Sequence, residues 1–157
     1  MQITTSILAA QPFLKGLSGQ HLDLLLGNSM PVEFAAGKPI FREGQMANRF
    51  YLILEGEVAL ESASGEKDGE ADLIQTLGAG DVLGWSWLFP PYFWHFDARA
   101  VRPVKAIFIY GTRVRELCEN DHDFGYELMK RTAGVVIGRL QATRRRLLEQ
   151  SKNSLLV

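Results

Sequence analysis

Between Gly80 and Val104 the sequence reads GDVLGWSWLFPPYFWHFDARAVRPV. Glycine, proline, aromatic and charged residues crowd here without a helix or strand period. Trp85, Trp87, Phe89, Tyr92, Phe93, Trp94 and Phe96 form an aromatic cluster. Such rings bury large areas and also offer stacking faces to a planar or apolar ligand. Gly84 and Ser86 stand where a short helix would begin, so their backbone amides could face an anion. His95 is able to titrate near neutral pH, and Asp97, Arg99 and Arg102 supply charge nearby. The candidate ligand-binding set is Gly84, Trp85, Ser86, Trp87, Trp94, His95, Phe96, Asp97 and Arg99. Two readings of it stand side by side. The rings fill an interior and its mouth, or they line a reshaped pocket.

Catalytic and metal chemistry find little support. His21, His95 and His122 are the only histidines and lie far apart in sequence, unlike the clustered ligands of a metal-dependent barrel. No nucleophile elbow, P-loop or paired-cysteine motif occurs. The expectation is a non-enzymatic chain with no cofactor. Cys118 is the one cysteine, which excludes an intrachain disulfide and fits a reducing compartment.

The elements that must hold this stretch follow from periodicity. Residues 4–29 read as short helices, with Ser18 capping one that carries Leu22, Leu25 and Leu26. From Pro31 the period changes to that of strands, with turns at Gly37-Lys38-Pro39, Glu43-Gly44-Gln45, Glu55-Gly56-Glu57 and Gly78-Ala79-Gly80-Asp81. Phe50 to Leu54 is apolar on both faces and should be a central strand. Residues 61–71 are polar and read as a solvated hairpin loop. Trp85 to Phe89 allows one helical turn, which Pro90-Pro91 ends. Two further strands occupy Phe96 to Tyr110, broken near Arg102-Pro103.

After Gly111 the chain turns helical, with Thr112 as a cap for Val114, Leu117 and Cys118. Asp121 or Asp123 caps a long helix over 124–150, and the tail from Ser151 should fray. Val136, Leu140, Thr143 and Leu147 form a narrow seam at spacings of 4, 3 and 4, suited to a partner helix. Arg139, Arg144, Arg145 and Arg146 surround it. The fold class is α+β: an antiparallel jelly-roll β-barrel with short N-terminal helices and a long C-terminal helix. Residues 1–157 read as one domain, with helices over 1–30, the barrel over 31–110 and the last helices over 112–150.

Order and spacing sharpen this. Gly37 with Ile40, Glu43-Gly44, Tyr51-Leu52-Ile53, Gly56-Glu57-Val58 and Gly80-Asp81-Val82-Leu83-Gly84 resemble the cyclic nucleotide-binding domain family, the sensor module of the catabolite activator type. The resemblance covers roughly residues 12–150 and implies a double-stranded β-helix that holds a nucleotide inside. It further implies helix-start amides on the cyclic phosphate, a Glu after the last glycine on the ribose, and an Arg opening the next strand on the phosphate. The long helix would close on the base and form a homodimer. This chain carries Trp85 where the Glu belongs and Phe96 where the Arg belongs. Arg99, three residues on, should face opposite to Phe96.

The expectation is a regulatory or sensor module that does not hold cyclic AMP in the usual way and senses another small ligand. The alternative is a ligand-free dimerisation or protein-interaction module with an aromatic-filled barrel. The sequence ends at Val157 without the helix-turn-helix that many members carry, so direct nucleic-acid recognition is not expected. With 17 Lys+Arg against 18 Asp+Glu, the net charge of −1 favours neither nucleic acid nor an anionic membrane. No basic, apolar leader opens the sequence, and no run approaches a spanning helix, so a cytoplasmic protein with a downstream protein partner is expected.

Overall fold

Strand β3 (Arg49–Glu55) is apolar on both sides because it is covered on both sides. In the computed structural model, which describes residues 1–62 and 72–155, it lies inside a four-stranded sheet of order β1-β8-β3-β6. Its neighbours there are β1 (Ser29–Phe34), β8 (Val104–Tyr110) and β6 (Val82–Leu83). A second antiparallel sheet has the order β2-β7-β4-β5, from Pro39–Phe41, Asp97–Ala100, Glu57–Ser62 and Asp72–Gly78. The two sheets form the expected jelly roll. Tyr51 pairs with Phe108 and Ile53 with Ala106, facing the barrel interior. Phe50 pairs with Ile109 and Leu52 with Ile107, facing the helices. Two apolar cores result, one on each side of the sheet.

The helical core is built by α1 (Thr5–Ala9), a 3₁₀ turn (Pro12–Leu14), α2 (Gly19–Leu26), α3 (Gly111–Asn120) and α4 (His122–Leu155). Ser18 caps α2 as expected, its Oγ accepting from the His21 amide at 3.2 Å. Asp121 caps α4, its Oδ1 accepting from the Phe124 amide at 3.1 Å. Its Oδ2 lies 3.4 Å from His21 Nε2, and the His21 ring packs on Phe124. Phe124 and Leu128 sink completely into this core. Arg131 ties the same part of α4 to the Lys15 carbonyl at 2.8 Å.

Several boundaries differ from the expectations. Helix α3 starts at Gly111 with Tyr110 as its cap, because Gly111 is buried against Trp87 and joins the helix ahead of Thr112. The long helix starts at His122 and continues past Ser151 to Leu155 rather than fraying. Strand β4 includes Glu61 and Ser62, which pair with β5. Most of the expected hairpin loop, residues 63–71, lies outside the described residues.

At about 1.5 Å per residue, α4 is on the order of 50 Å long. Its first half is embedded in the helical core. Its second half crosses the mouth of the barrel. Two arginines hold it there, Arg139 donating to the Val82 carbonyl of β6 and Arg146 to the Ile74 carbonyl of β5.

Candidate functional site

Strand β6 ends at Gly84, whose φ is +98°. Glycine adopts that conformation without the steric cost of a side chain. The space a Cβ would occupy is taken by the Trp94 indole, with Cη2 and Cζ3 both 2.9 Å from the ideal position. Trp94 is 2% exposed and stacks on Phe41 at 3.8 Å with the rings 7° apart. Phe96 joins them, its ring 6.0 Å from Phe41. The barrel interior behind the Gly84 turn is therefore filled by side chains. Arg49 lies alongside with its guanidinium 5.8 Å from the Trp94 ring. All three of its nitrogens are engaged, by Tyr51 Oη, Asn48 Oδ1 and the Ile40 carbonyl. Burial raises the Tyr51 phenol above its ordinary pKa, an effect partly opposed by Arg49.

A 3₁₀ turn, Ser86–Leu88, follows Gly84. It sends neighbouring aromatic residues to different sides. Trp85 stays half-buried, stacked on His95 at 5.0 Å and 16°. Ser86 is fully buried and shares a 3.0 Å hydrogen bond with His95 Nδ1, while the rest of the His95 ring is exposed. Trp87 points away from this group. It stacks on Phe50 at 4.8 Å in the helical core, so it does not join the other candidate residues.

The two charged candidates on β7 also face elsewhere. Asp97 accepts from the Glu43 amide at 2.7 Å and fastens the turn between β2 and β3. Arg99 grips Glu61 through two hydrogen bonds of 3.0 and 3.3 Å. Phe96 is buried in the barrel core, and Arg99 lies on the opposite side of the strand.

Beside these side chains a cleft of about 230 Å³ lies open between the barrel mouth and α4. Trp85 and Phe96, with Leu60 and Ile74, form its barrel wall. Val136, Leu140 and Thr143 of α4 face them. Arg139 is the one charged side chain lining it among the described residues. One Arg139 nitrogen, Nη2, donates to the Val82 carbonyl, and Nη1 has no partner among the described residues. Burial pushes the Arg139 pKa down to about 10, partly opposed by Asp81. Thr143 Oγ1 is occupied, donating to the Arg139 carbonyl at 3.0 Å.

Of the expected site residues, Trp85 and Phe96 line this cleft, and Gly84, Ser86, Trp94 and His95 support its wall. The four seam residues divide between two faces. Val136 and Thr143 line the cleft beside Leu140, while Leu140 is also 67% exposed and Leu147 61% exposed toward solvent. Ile137, 54% exposed, extends that outer face. Arg139, Leu60, Ile74 and Phe41 were not among the sequence candidates. For Arg139 a signal existed, since 136, 139, 140 and 143 share one helical face. The described residues contain no group of three metal-ligating side chains, and no helix among them is long and apolar enough to cross a membrane.

With this geometry in view, the profile of the cyclic nucleotide-binding domain matches residues 31–121. The chain belongs to the cyclic nucleotide-binding domain family. The crystal structure of a Geobacter metallireducens protein named for cyclic nucleotide binding superposes with a TM-score of 0.80 at 32% identity, over 88% of this chain and 98% of that one. A CRP-like cAMP-activated global transcriptional regulator of Mycobacterium tuberculosis is 25% identical over 141 residues, 90% of this chain and 60% of the regulator. The chain thus spans about three-fifths of the length of that relative. The regulatory subunit of a cAMP-independent protein kinase A from Trypanosoma brucei superposes with a TM-score of 0.66 at 26% identity, over 82% of this chain and 45% of that one. The transcriptional regulator and the kinase subunit are both regulatory proteins. This chain is a regulatory domain of the cyclic nucleotide-binding type.

Proposed function

We propose that this chain is a regulatory module gated by a small ligand other than a cyclic nucleotide held in the family's usual mode. The ligand sits in the cleft between Trp85, Phe96 and α4, and occupancy shifts the distal half of that helix. One observation carries the reading. The volume behind Gly84 is taken by the stacked Trp94 and Phe41 rings, and Phe96 brings no cation to it. A cyclic phosphate placed there loses its ion pair, a penalty on the order of 3–5 kcal/mol for a buried charge without its partner. That amounts to roughly two to four decades in affinity.

Calorimetric titration with cyclic AMP and cyclic GMP tests this directly. The expected result is no saturation below about 100 µM. A sub-micromolar Kd that Trp85→Ala abolishes overturns the reading.

A second reading is supported by the outer face of α4, where Ile137, Leu140 and Leu147 are exposed together. The chain then acts as a ligand-free dimerisation module with the barrel as a rigid body. Thermal-shift screening against planar and apolar metabolites separates the two. Stabilisation lost on Trp85→Ala supports gating, and its complete absence across the screen leaves the dimerisation module.

A further inference from the structure

Arg139 is placed at a cost that the described structure offsets only in part. Its guanidinium is withdrawn from water at the junction of two clefts. Nη2 donates to the Val82 carbonyl, a neutral partner, and Nη1 is buried without any. No carboxylate among the described residues forms an ion pair with it. Asp81, whose charge acts on it from a distance, is already bound to the Gly78 amide at 2.8 Å. The depressed pKa of about 10 reflects the same imbalance. Arg49 shows the contrast, since its three nitrogens all have partners. A buried guanidinium with a free edge is suited to a bidentate or charge-assisted contact with an incoming anion.

The two clefts differ in what they offer that anion. In the cleft of about 360 Å³ under Pro12 and Phe13, Arg139 shares the lining with two further charges, Asp81 and Arg145. In the cleft of about 230 Å³, Arg139 is the lone charge among the described residues, against walls of Trp85, Phe96, Leu60 and Val136. Apolar walls favour a hydrophobic body. A single cation favours a single negative charge, because a second would be buried unpaired. A ribose or purine edge would find few partners here, as Thr143 already donates within its own helix.

We infer that the cleft between Trp85, Phe96 and α4 is a site for a hydrophobic monocarboxylate whose carboxylate pairs with Arg139. This rests on the proposed small-ligand reading of the same cleft and names the class of ligand. Pairing also competes for the guanidinium that holds α4 to β6, which gives the ligand a direct grip on the helix.

The test is calorimetric titration of the full chain with benzoate, 3-phenylpropanoate and octanoate, each against its uncharged primary amide, with cyclic AMP as a further arm. At least one acid should bind ten times more tightly than its amide or better. Arg139→Gln should erase that gap, and Arg139→Lys should keep part of it. Thr143→Glu places a competing carboxylate one helical turn from Arg139 at an exposed position, so it should weaken the acid and spare the amide even if Arg139→Gln fails to fold. Trp85→Ala should weaken both. Acid and amide binding equally would overturn the carboxylate class and leave the cleft reading standing. A gap that survives both Arg139→Gln and Thr143→Glu overturns the role of Arg139. Binding of cyclic AMP through Arg139 with no acid bound overturns the ligand class, and no binding by any acid or amide removes this inference while the cleft reading stands or falls on the metabolite screen.

Discussion

Gly84 carries two constraints at once, a left-handed backbone and an indole where its side chain would be. Gly37 carries only the first, with φ +85° and nothing within 4 Å of an added Cβ. The pair therefore separates backbone strain from steric conflict. Gly37→Ala should cost about 1–2 kcal/mol, the left-handed penalty alone. Gly84→Ala should cost about 2–4 kcal/mol, because Trp94 is wedged between that position and Phe41 and cannot retreat. Urea unfolding of both variants measures the difference, and equal losses would mean that the ring yields. Cys118 gives a second check at this scale. Burial, helped by Glu119 and Asp121, raises its pKa from 9.0 to about 11. The thiol is thus held neutral in the fold and ionises earlier in the unfolded chain. The unfolded state binds fewer protons between pH 9 and 11, so this group's contribution to stability falls as pH rises through that window. Alkylation by iodoacetamide tracks the thiolate. In the native protein its rate should keep climbing about tenfold per pH unit toward pH 11, whereas in urea it should level off near pH 9. A native plateau at 9 would place Cys118 in water.

At the scale of elements, α4 presents two faces with different work. Leu128, Thr132 and Arg139 turn inward, Ile137 and Leu147 turn outward, and Leu140, though exposed, also lines the cleft. Val136 sits on the border, lining the cleft. A lysine at Val136 would disturb cleft and seam together, so it is a poor probe of association. Ile137→Lys combined with Leu147→Lys touches the outer face and should reduce the light-scattering mass from a dimer to the 17.6 kDa of one chain. An unchanged dimer mass would move the interface elsewhere. Part of this element was readable in the sequence, since an Asp cap needs only local spacing, whereas the residues expected as one seam from 136 to 147 divide between the cleft and the outer face. The two-sided coverage of β3 was equally readable from Phe50 to Leu54. The sides taken by Trp85 and Trp87 were not. A 3₁₀ turn advances about 120° per residue, so residues two apart diverge, and a run of aromatics carries no mark of which sheet face each will meet. Arg139 was marked by the helical face it shares with 136, 140 and 143, but its burial was hidden for a related reason. Its burial depends on how α4 is rotated against a barrel that lies more than fifty residues earlier, and on Val82 offering a carbonyl at that point.

For the whole molecule, the cleft and the outer seam are two faces of one helix segment. Arg139 and Leu140 are adjacent in sequence, one holding α4 to β6 and the other exposed for association. On the proposed gating, a ligand that recruits the Arg139 guanidinium changes the position of the segment that carries Ile137, Leu140 and Leu147. Such a change requires the ligand to prefer one position over the other. The two binding events are then thermodynamically linked, and the coupling factor must be the same read from either side. Sedimentation equilibrium with and without a saturating hydrophobic acid gives the factor from the dimer side. Titration of that acid above and below the dimer dissociation constant gives it from the ligand side. A coupling of about 5–150-fold, equal in both experiments, is the expected result for a gated module. The Ile137→Lys, Leu147→Lys variant, which leaves the cleft lining intact, should bind the acid with the affinity of the wild-type monomer at any concentration. A dimer constant that is identical with and without ligand would leave a binding site and a dimer on the same helix with no communication between them, and the gating role would fall even though both sites were real.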